Sequence, residues 1–127
     1  MKNQFLVPLT AVALAALTVF VNAADKKPKY TTSEVMEALH KGETNTGKKI
    51  LQGNGTKEDF AKLVEYYESL PLNPIEKGDK ASWEAKTTAL LKAAKALNAG
   101  EAGALEKYKE AVNCKACHNA HRPEDKK

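Results

Sequence analysis

Residues 113–122, NCKACHNAHR, hold both cysteines of this 127-residue chain and two of its three histidines. Cys114, Cys117, His118 and His121 are spaced i, i+3, i+4 and i+7, so on a continuous helix all four project from one face. Three kinds of chemistry use such residues: a structural zinc ion, a dithiol redox pair, and the covalent attachment of a larger group. The sequence around this segment helps to distinguish them.

The residues just before the cysteines predict a helix that leads into them. This fourth predicted helix begins near Glu101 and runs into Cys114, and Pro123 prevents it from continuing much further. Its apolar side carries Leu105, Tyr108 and Val112. Both cysteines are therefore expected at the tail of a helix.

Three more amphipathic helices are predicted upstream. Thr31 with Glu34, and Thr56 with Asp59, have the spacing of N-terminal capping boxes. Core-facing residues recur at helical spacing on each helix: Val35, Met36, Leu39, Ile50 and Leu51 on the first, Phe60, Leu63, Val64, Tyr67 and Leu70 on the second, and Trp83, Thr87, Leu90, Leu91, Ala94 and Leu97 on the third. Gly42 and Gly47 weaken the middle of the first helix and allow a break there.

These patterns predict an all-α domain. No run of alternating apolar and polar residues is long enough to indicate a strand. Four amphipathic helices with mostly short connections pack most simply as an antiparallel up-down-up-down four-helix bundle. The alanine-rich third and fourth helices supply little side-chain volume, which leaves room for a bound group at the centre of the bundle.

The N-terminus has the pattern of an export signal. Lys2 precedes an apolar run over residues 5–21, and Val21, Asn22 and Ala23 fit a signal-peptidase site. We expect cleavage after residue 23, which leaves a domain of residues 24–127 in the periplasm or otherwise outside the cytoplasm. The alternative is an uncleaved membrane anchor, because the run is close to the ~17 residues that a spanning helix needs.

The charge pattern argues against nucleic acid as a partner. The net charge is +4, and lysines alternate with glutamates along the predicted helices instead of forming a basic block with interleaved aromatic residues. Once the signal is removed, no membrane association is expected either.

The motif itself favours covalent attachment over the other two chemistries. Side chains along one face of a single helix cannot surround a zinc ion tetrahedrally, and the chain has no further cysteine. A thioredoxin-like dithiol normally opens a helix that follows a strand. Cys114-x-x-Cys117-His118 is instead the pattern of c-type haem attachment, in which two thiols one turn apart reach the two vinyl groups of a porphyrin. A local disulfide in a haem-free interaction module is the remaining alternative.

With these features the chain resembles the class II c-type cytochromes, which are exported four-helix bundles whose haem motif lies on the last helix. The resemblance covers the mature chain and rests on CKACH, on the CHNAHR ending and on Trp83 near the start of the third helix. His121 departs from it, because the family usually has phenylalanine or tyrosine there. The resemblance implies one haem c bound through Cys114 and Cys117, with His118 as the iron ligand.

The resemblance also implies the function, which depends on the sixth position of the iron. Met36 on the first helix matches the methionine ligand of one branch of the family, which would make the protein a one-electron carrier and not an enzyme. His40, one turn further on, is the rival ligand. A vacant position would indicate a protein that binds nitric oxide or carbon monoxide. Redox proteins are the expected partners, and the family often forms homodimers through its first two helices.

Three residues near the motif have two interpretations each. Trp83 either stacks on the porphyrin or only fills the core. Arg122 either pairs with a haem propionate or is solvated at the helix end. His121 either contacts and supports a residue that binds the haem or, as we expect, faces solvent.

Lysines at 107, 109, 115, 126 and 127 would attract an acidic redox partner.

Overall fold

The structure is a computed structural model that describes residues 26–124. The predicted export signal, residues 1–23, lies outside these residues. The described part of the chain is helical and contains no β-strand, which confirms the all-α prediction. In the same residues, no helix is both long and apolar enough to cross a membrane.

Six α-helices and one short 3-10 helix follow one another between residues 26 and 124. They are α1 (Thr32–His40), α2 (Thr46–Leu51), α3 (Lys57–Tyr67), the 3-10 helix (Leu70–Leu72), α4 (Lys80–Ala99), α5 (Ala104–Ala111) and α6 (Cys114–His121). The second predicted helix is shorter than expected, because α3 ends at Tyr67 and Leu70, followed by Pro71, begins the 3-10 helix.

The helix starts follow local signals in the sequence. In both predicted capping boxes the threonine hydroxyl accepts a hydrogen bond from the backbone amide of the residue three positions later. That residue's carboxylate in turn accepts a hydrogen bond from the backbone amide of the threonine. Each cap contributes about 1 kcal/mol to helix stability. Asp79 caps α4 in the same manner by accepting the Ser82 amide at 3.1 Å.

The first predicted helix is broken where its glycines allow it. Gly42 has a positive φ of 91°, which ends α1 and turns the chain. The Asn45 side chain then closes the turn, because its amide donates to the Gly42 carbonyl at 2.8 Å while its oxygen accepts the Lys48 amide at 2.7 Å. Asn45 is thus the cap from which α2 starts.

The fourth predicted helix is also broken, and here the prediction of a single helix is wrong. α5 ends at Ala111, and Val112 and Asn113 leave the helical region with ψ angles of 56° and 83°. A new helix, α6, begins at Cys114. The cysteines therefore lie at the start of a helix and not at its tail.

The core is arranged around α4, the longest of these helices. α4 packs against α3, α5 and α6, while α1 packs against α2 and α3. The fully buried large side chains are Val35, Leu39, Ile50, Leu63, Tyr67, Leu70 and Tyr108. Three of the seven buried residues of α4 are alanines, Ala93, Ala94 and Ala96, and these small side chains let its neighbours approach closely. The up-down-up-down bundle stays a prediction.

Candidate functional site

α6 is a short helix with its own cap. The Asn113 side-chain oxygen accepts the Ala116 amide at 3.1 Å, which satisfies one of the free N–H groups at the helix start. At the other end the Arg122 amide donates to the His118 carbonyl at 3.0 Å, and Pro123 follows. The cap and the proline fix α6 as eight residues that hold both cysteines and both histidines of the motif.

The four residues of the motif share α6 but not one environment. Cys114 and His118 are exposed, Cys117 is half-buried against the core, and His121 is buried with 5% of its surface exposed. Both thiols are free. No three His, Cys, Asp or Glu side chains within residues 26–124 are grouped so that they would hold a metal ion.

The two thiols differ in their surroundings. Burial raises the pKa of the Cys117 thiol, and the nearby Lys86 ammonium opposes that effect. Cys114 is the first residue of α6, and its Sγ lies 3.8 Å from the Val112 carbonyl oxygen. No strand precedes this helix in the described residues, in contrast to thioredoxin-like sites.

His121 faces the core, so the expectation that it faces solvent is wrong. Its Nδ1 lies 3.0 Å from the Lys77 carbonyl oxygen, and its Nε2 lies 3.0 Å from Ser82 Oγ. Its ring meets the Trp83 ring edge-on at 5.4 Å. A polar group in the core needs such partners, and here they come from the loop before α4 and from α4 itself.

Three polar side chains form a buried chain of hydrogen bonds beside the motif. Tyr67 Oη lies 2.8 Å from His40 Nε2 and 3.1 Å from Tyr108 Oη. Every hydroxyl hydrogen has an acceptor if Tyr108 donates to Tyr67 and Tyr67 donates to the neutral His40 ring. The sequence places both tyrosines on apolar stripes, and their need for a partner when buried was the only signal of this network.

Burial is the largest influence on the pKa values of the three side chains in this hydrogen-bonded network. It raises the pKa of Tyr108 to about 12 and that of Tyr67 well above its usual value, and Cys114 acts in the same direction on both. Burial lowers the pKa of His40, and the charge of His118 lowers it further. Cys114 and His118 are therefore close enough to shift the pKa values of these three side chains, although neither is hydrogen-bonded to them.

Met36 and His40, the two candidate sixth ligands, lie one turn apart on α1. Met36 is half-buried and packs against the core. The His40 ring is already engaged, because Tyr67 holds Nε2 and the other ring nitrogen lies against Gly47, where an added Cβ would be only 2.6 Å away. For His40 to bind iron through Nε2, it would have to give up the Tyr67 hydrogen bond.

A shallow groove of about 450 Å³ opens beside His118. It is lined by Lys77, His118, Asn119, Arg122, Pro123 and Glu124. Its lining therefore carries two cationic side chains and one carboxylate next to an exposed imidazole.

The residues around α6 fit a covalent haem. Two free thiols one turn apart are followed directly by an exposed imidazole, which is the donor set that such attachment needs. Nearby, the buried indole Nε1 of Trp83 has no hydrogen-bond partner among the described residues. A buried N–H group without a partner is costly, so an acceptor such as a haem propionate would satisfy it.

Comparison of the chain with models of protein families, with curated proteins and with solved structures found no match.

Proposed function

We propose that this protein is an exported monohaem c-type cytochrome that carries single electrons between redox proteins. The observation that carries the proposal is the state of the CxxCH motif: it occupies a capped helix with both thiols free and His118 exposed beside them. When bound, the haem would supply a reversible one-electron couple. The protein's part is to bind and orient the group and to limit its contact with water.

Cys114 and Cys117 would hold the group covalently. Each S–H would add across one vinyl double bond, so that sulfur would bond to one vinyl carbon, the hydrogen would go to the other, and nothing would leave. Cys117 is half-buried and Cys114 is exposed, so the bond at Cys117 would lie against the core and the bond at Cys114 would lie at the surface. His118 would ligate the iron through its exposed ring.

We assign the sixth position to Met36 in preference to His40. The hydrogen bond from Tyr67 and the contact with Gly47 hold the His40 ring in place, whereas Met36 has a flexible side chain on the same helix. Thioether ligation would stabilise ferrous iron and raise the potential, which suits a carrier between respiratory partners. The proposal includes the four-helix bundle, with α1 and α2 as its first helix and α5 with α6 as its last.

Exposed lysines on α5 and α6 would attract an acidic redox partner. Lys107, Lys109 and Lys115 are all exposed, although Lys109 also pairs with Glu106 at 3.0 Å. Attraction of this kind weakens with added salt, so the rate of electron transfer should fall as ionic strength rises.

The mass of the purified protein tests the proposal. Expressed with a haem-ligation apparatus, the chain should gain the mass of one haem, and Cys114→Ser/Cys117→Ser should gain none. A wild-type mass equal to that of the trimmed polypeptide would refute the proposal.

Two spectra then test the sixth ligand. A ferric charge-transfer band near the red end of the spectrum should be lost in Met36→Ala and retained in His40→Ala. Rapid, tight binding of carbon monoxide by the reduced wild type would instead indicate a vacant position and a gas-binding protein.

A further inference from the structure

α6 has few contacts that fix its orientation. It has eight residues, packs against α4, fully buries one side chain, that of His121, and places half-buried Cys117 against the core. A helix this short is not stable by itself in water, so tertiary contacts must set both its existence and its direction. The contact of Cys117 with the core is apolar and non-directional, so the direction in which His118 and the thiols point depends chiefly on how the hydrogen bonds of His121 are held.

His121 is held at both ring nitrogens by different parts of the chain. The Lys77 carbonyl can only accept, so Nδ1 carries the hydrogen of that 3.0 Å bond. Lys86 Nζ donates to Ser82 Oγ at 2.7 Å, which directs the Ser82 hydroxyl hydrogen toward Nε2, 3.0 Å away. The ring therefore bridges the loop before α4 and the first turn of α4 through both of its nitrogens.

The loop is shaped to lie against this end of α6. Gly78 has a positive φ of 88°, and an added Cβ would lie 2.4 Å from the Ala120 carbonyl oxygen and 2.9 Å from His121 Nδ1. Only glycine permits that approach without movement of the backbone. The loop, α4 and the ring of Trp83 thus enclose His121 on three sides.

We propose that His121 is a positioning residue that fixes the rotation of α6 about its own axis and so aims His118 at the iron. This inference rests on the proposed function. His118 precedes His121 by three residues, which places it about 60° around the helix, so a ring locked at two nitrogens leaves His118 little rotational freedom. Phenylalanine could fill the same space against Trp83 but would bond neither the loop nor α4.

Three variants of the full chain separate this role from simple packing. His121→Phe keeps the ring and removes both hydrogen bonds. His121→Asn keeps a donor where Nδ1 stood, and therefore the bond to the Lys77 carbonyl. Ala116→Ser, on the exposed side of α6, is the matched control.

The first measurement is amide hydrogen exchange on haem-free protein. Exchange at α6 amides should rise about tenfold in His121→Phe, the effect of losing one net hydrogen bond or more, with a smaller rise in His121→Asn and none in the control. Amides in the middle of α4 should not change. An equal rise in α4 and α6, or no rise in either, would overturn the proposal.

The second measurement is made on haem-loaded protein. The mass of His121→Phe should equal that of the loaded wild type apart from the substitution, while its reduction potential and ferric electron paramagnetic resonance spectrum shift and those of His121→Asn return toward wild type. Unchanged values in His121→Phe would refute the aiming role. A wild type without haem would refute the proposed function instead, and the exchange data would still decide whether His121 fixes α6.

Discussion

Replacing Tyr67 with phenylalanine tests the buried chain of hydrogen bonds. Tyr67 Oη is its middle member, 2.8 Å from His40 Nε2 and 3.1 Å from Tyr108 Oη. Both tyrosines are fully buried, so water cannot replace the missing hydroxyl. Tyr67→Phe therefore leaves the Tyr108 hydroxyl without an acceptor and His40 without a donor.

The expected cost follows from the number of groups left unsatisfied. A buried polar group without a partner costs about 1–3 kcal/mol, and half-buried His40 belongs at the low end, so Tyr67→Phe should cost roughly 2–4 kcal/mol. Tyr108→Phe leaves the bond from Tyr67 to His40 intact and should cost about 1 kcal/mol. In the double variant only His40 lacks a partner, so its cost should fall below the sum of the two single costs.

Urea unfolding of the purified protein at neutral pH measures these differences, with the slope of the transition compared among variants. Tyr108→Phe is the matched control, because it also removes one tyrosine hydroxyl, but from the end of the hydrogen-bonded network instead of its middle. The reasoning is refuted if Tyr67→Phe costs no more than Tyr108→Phe, or if the two costs add in the double variant.

Two further predictions concern the titration of His40 and the contact between Gly78 and α6. Because the pKa of His40 is lower in the folded protein than 6.5, the unfolded chain takes up the proton first, so the free energy of unfolding should fall as the pH drops below about 6.5 and level off below the folded pKa. Urea unfolding of His40→Gln at several pH values should give a flatter pH profile, and a profile with the same slope as that of the wild type would contradict the assignment. Gly78→Ala should lower the melting temperature more than Gly100→Ala, since both glycines have positive φ but only Gly78 lacks space for a Cβ; equal losses would show that its contact with α6 contributes nothing.

Features encoded within a few residues were predictable. The capping boxes at Thr31 and Thr56 join groups three residues apart, and apolar residues at helical spacing indicate the buried faces. The break between α1 and α2, which contains Gly42, is predictable for the same reason, since glycine weakens a helix wherever it stands. The all-α class and the single segment that holds both cysteines and two of the histidines needed nothing more.

The break between α5 and α6 was missed because its residues carry a weak signal. Val112 and Asn113 are both tolerated inside helices, and the apolar stripe continues through them. Asparagine is also a good N-cap, and the structure uses Asn113 in that role by directing its side chain to the Ala116 amide. Helix propensity is a weak signal that tertiary contacts override, so it does not choose between the two uses.

The sequence by itself determined the helical class, the helix caps and the order Cys-x-x-Cys-His, because each depends on neighbours within one or two turns. Only the tertiary structure decided that His121 faces inward and that Tyr67 joins His40 to Tyr108. Those partners lie 27 to 44 residues apart along the chain. A histidine or a tyrosine on an amphipathic helix suits either solvent or core, and the presence of a hydrogen-bond partner on another element determines which one it occupies.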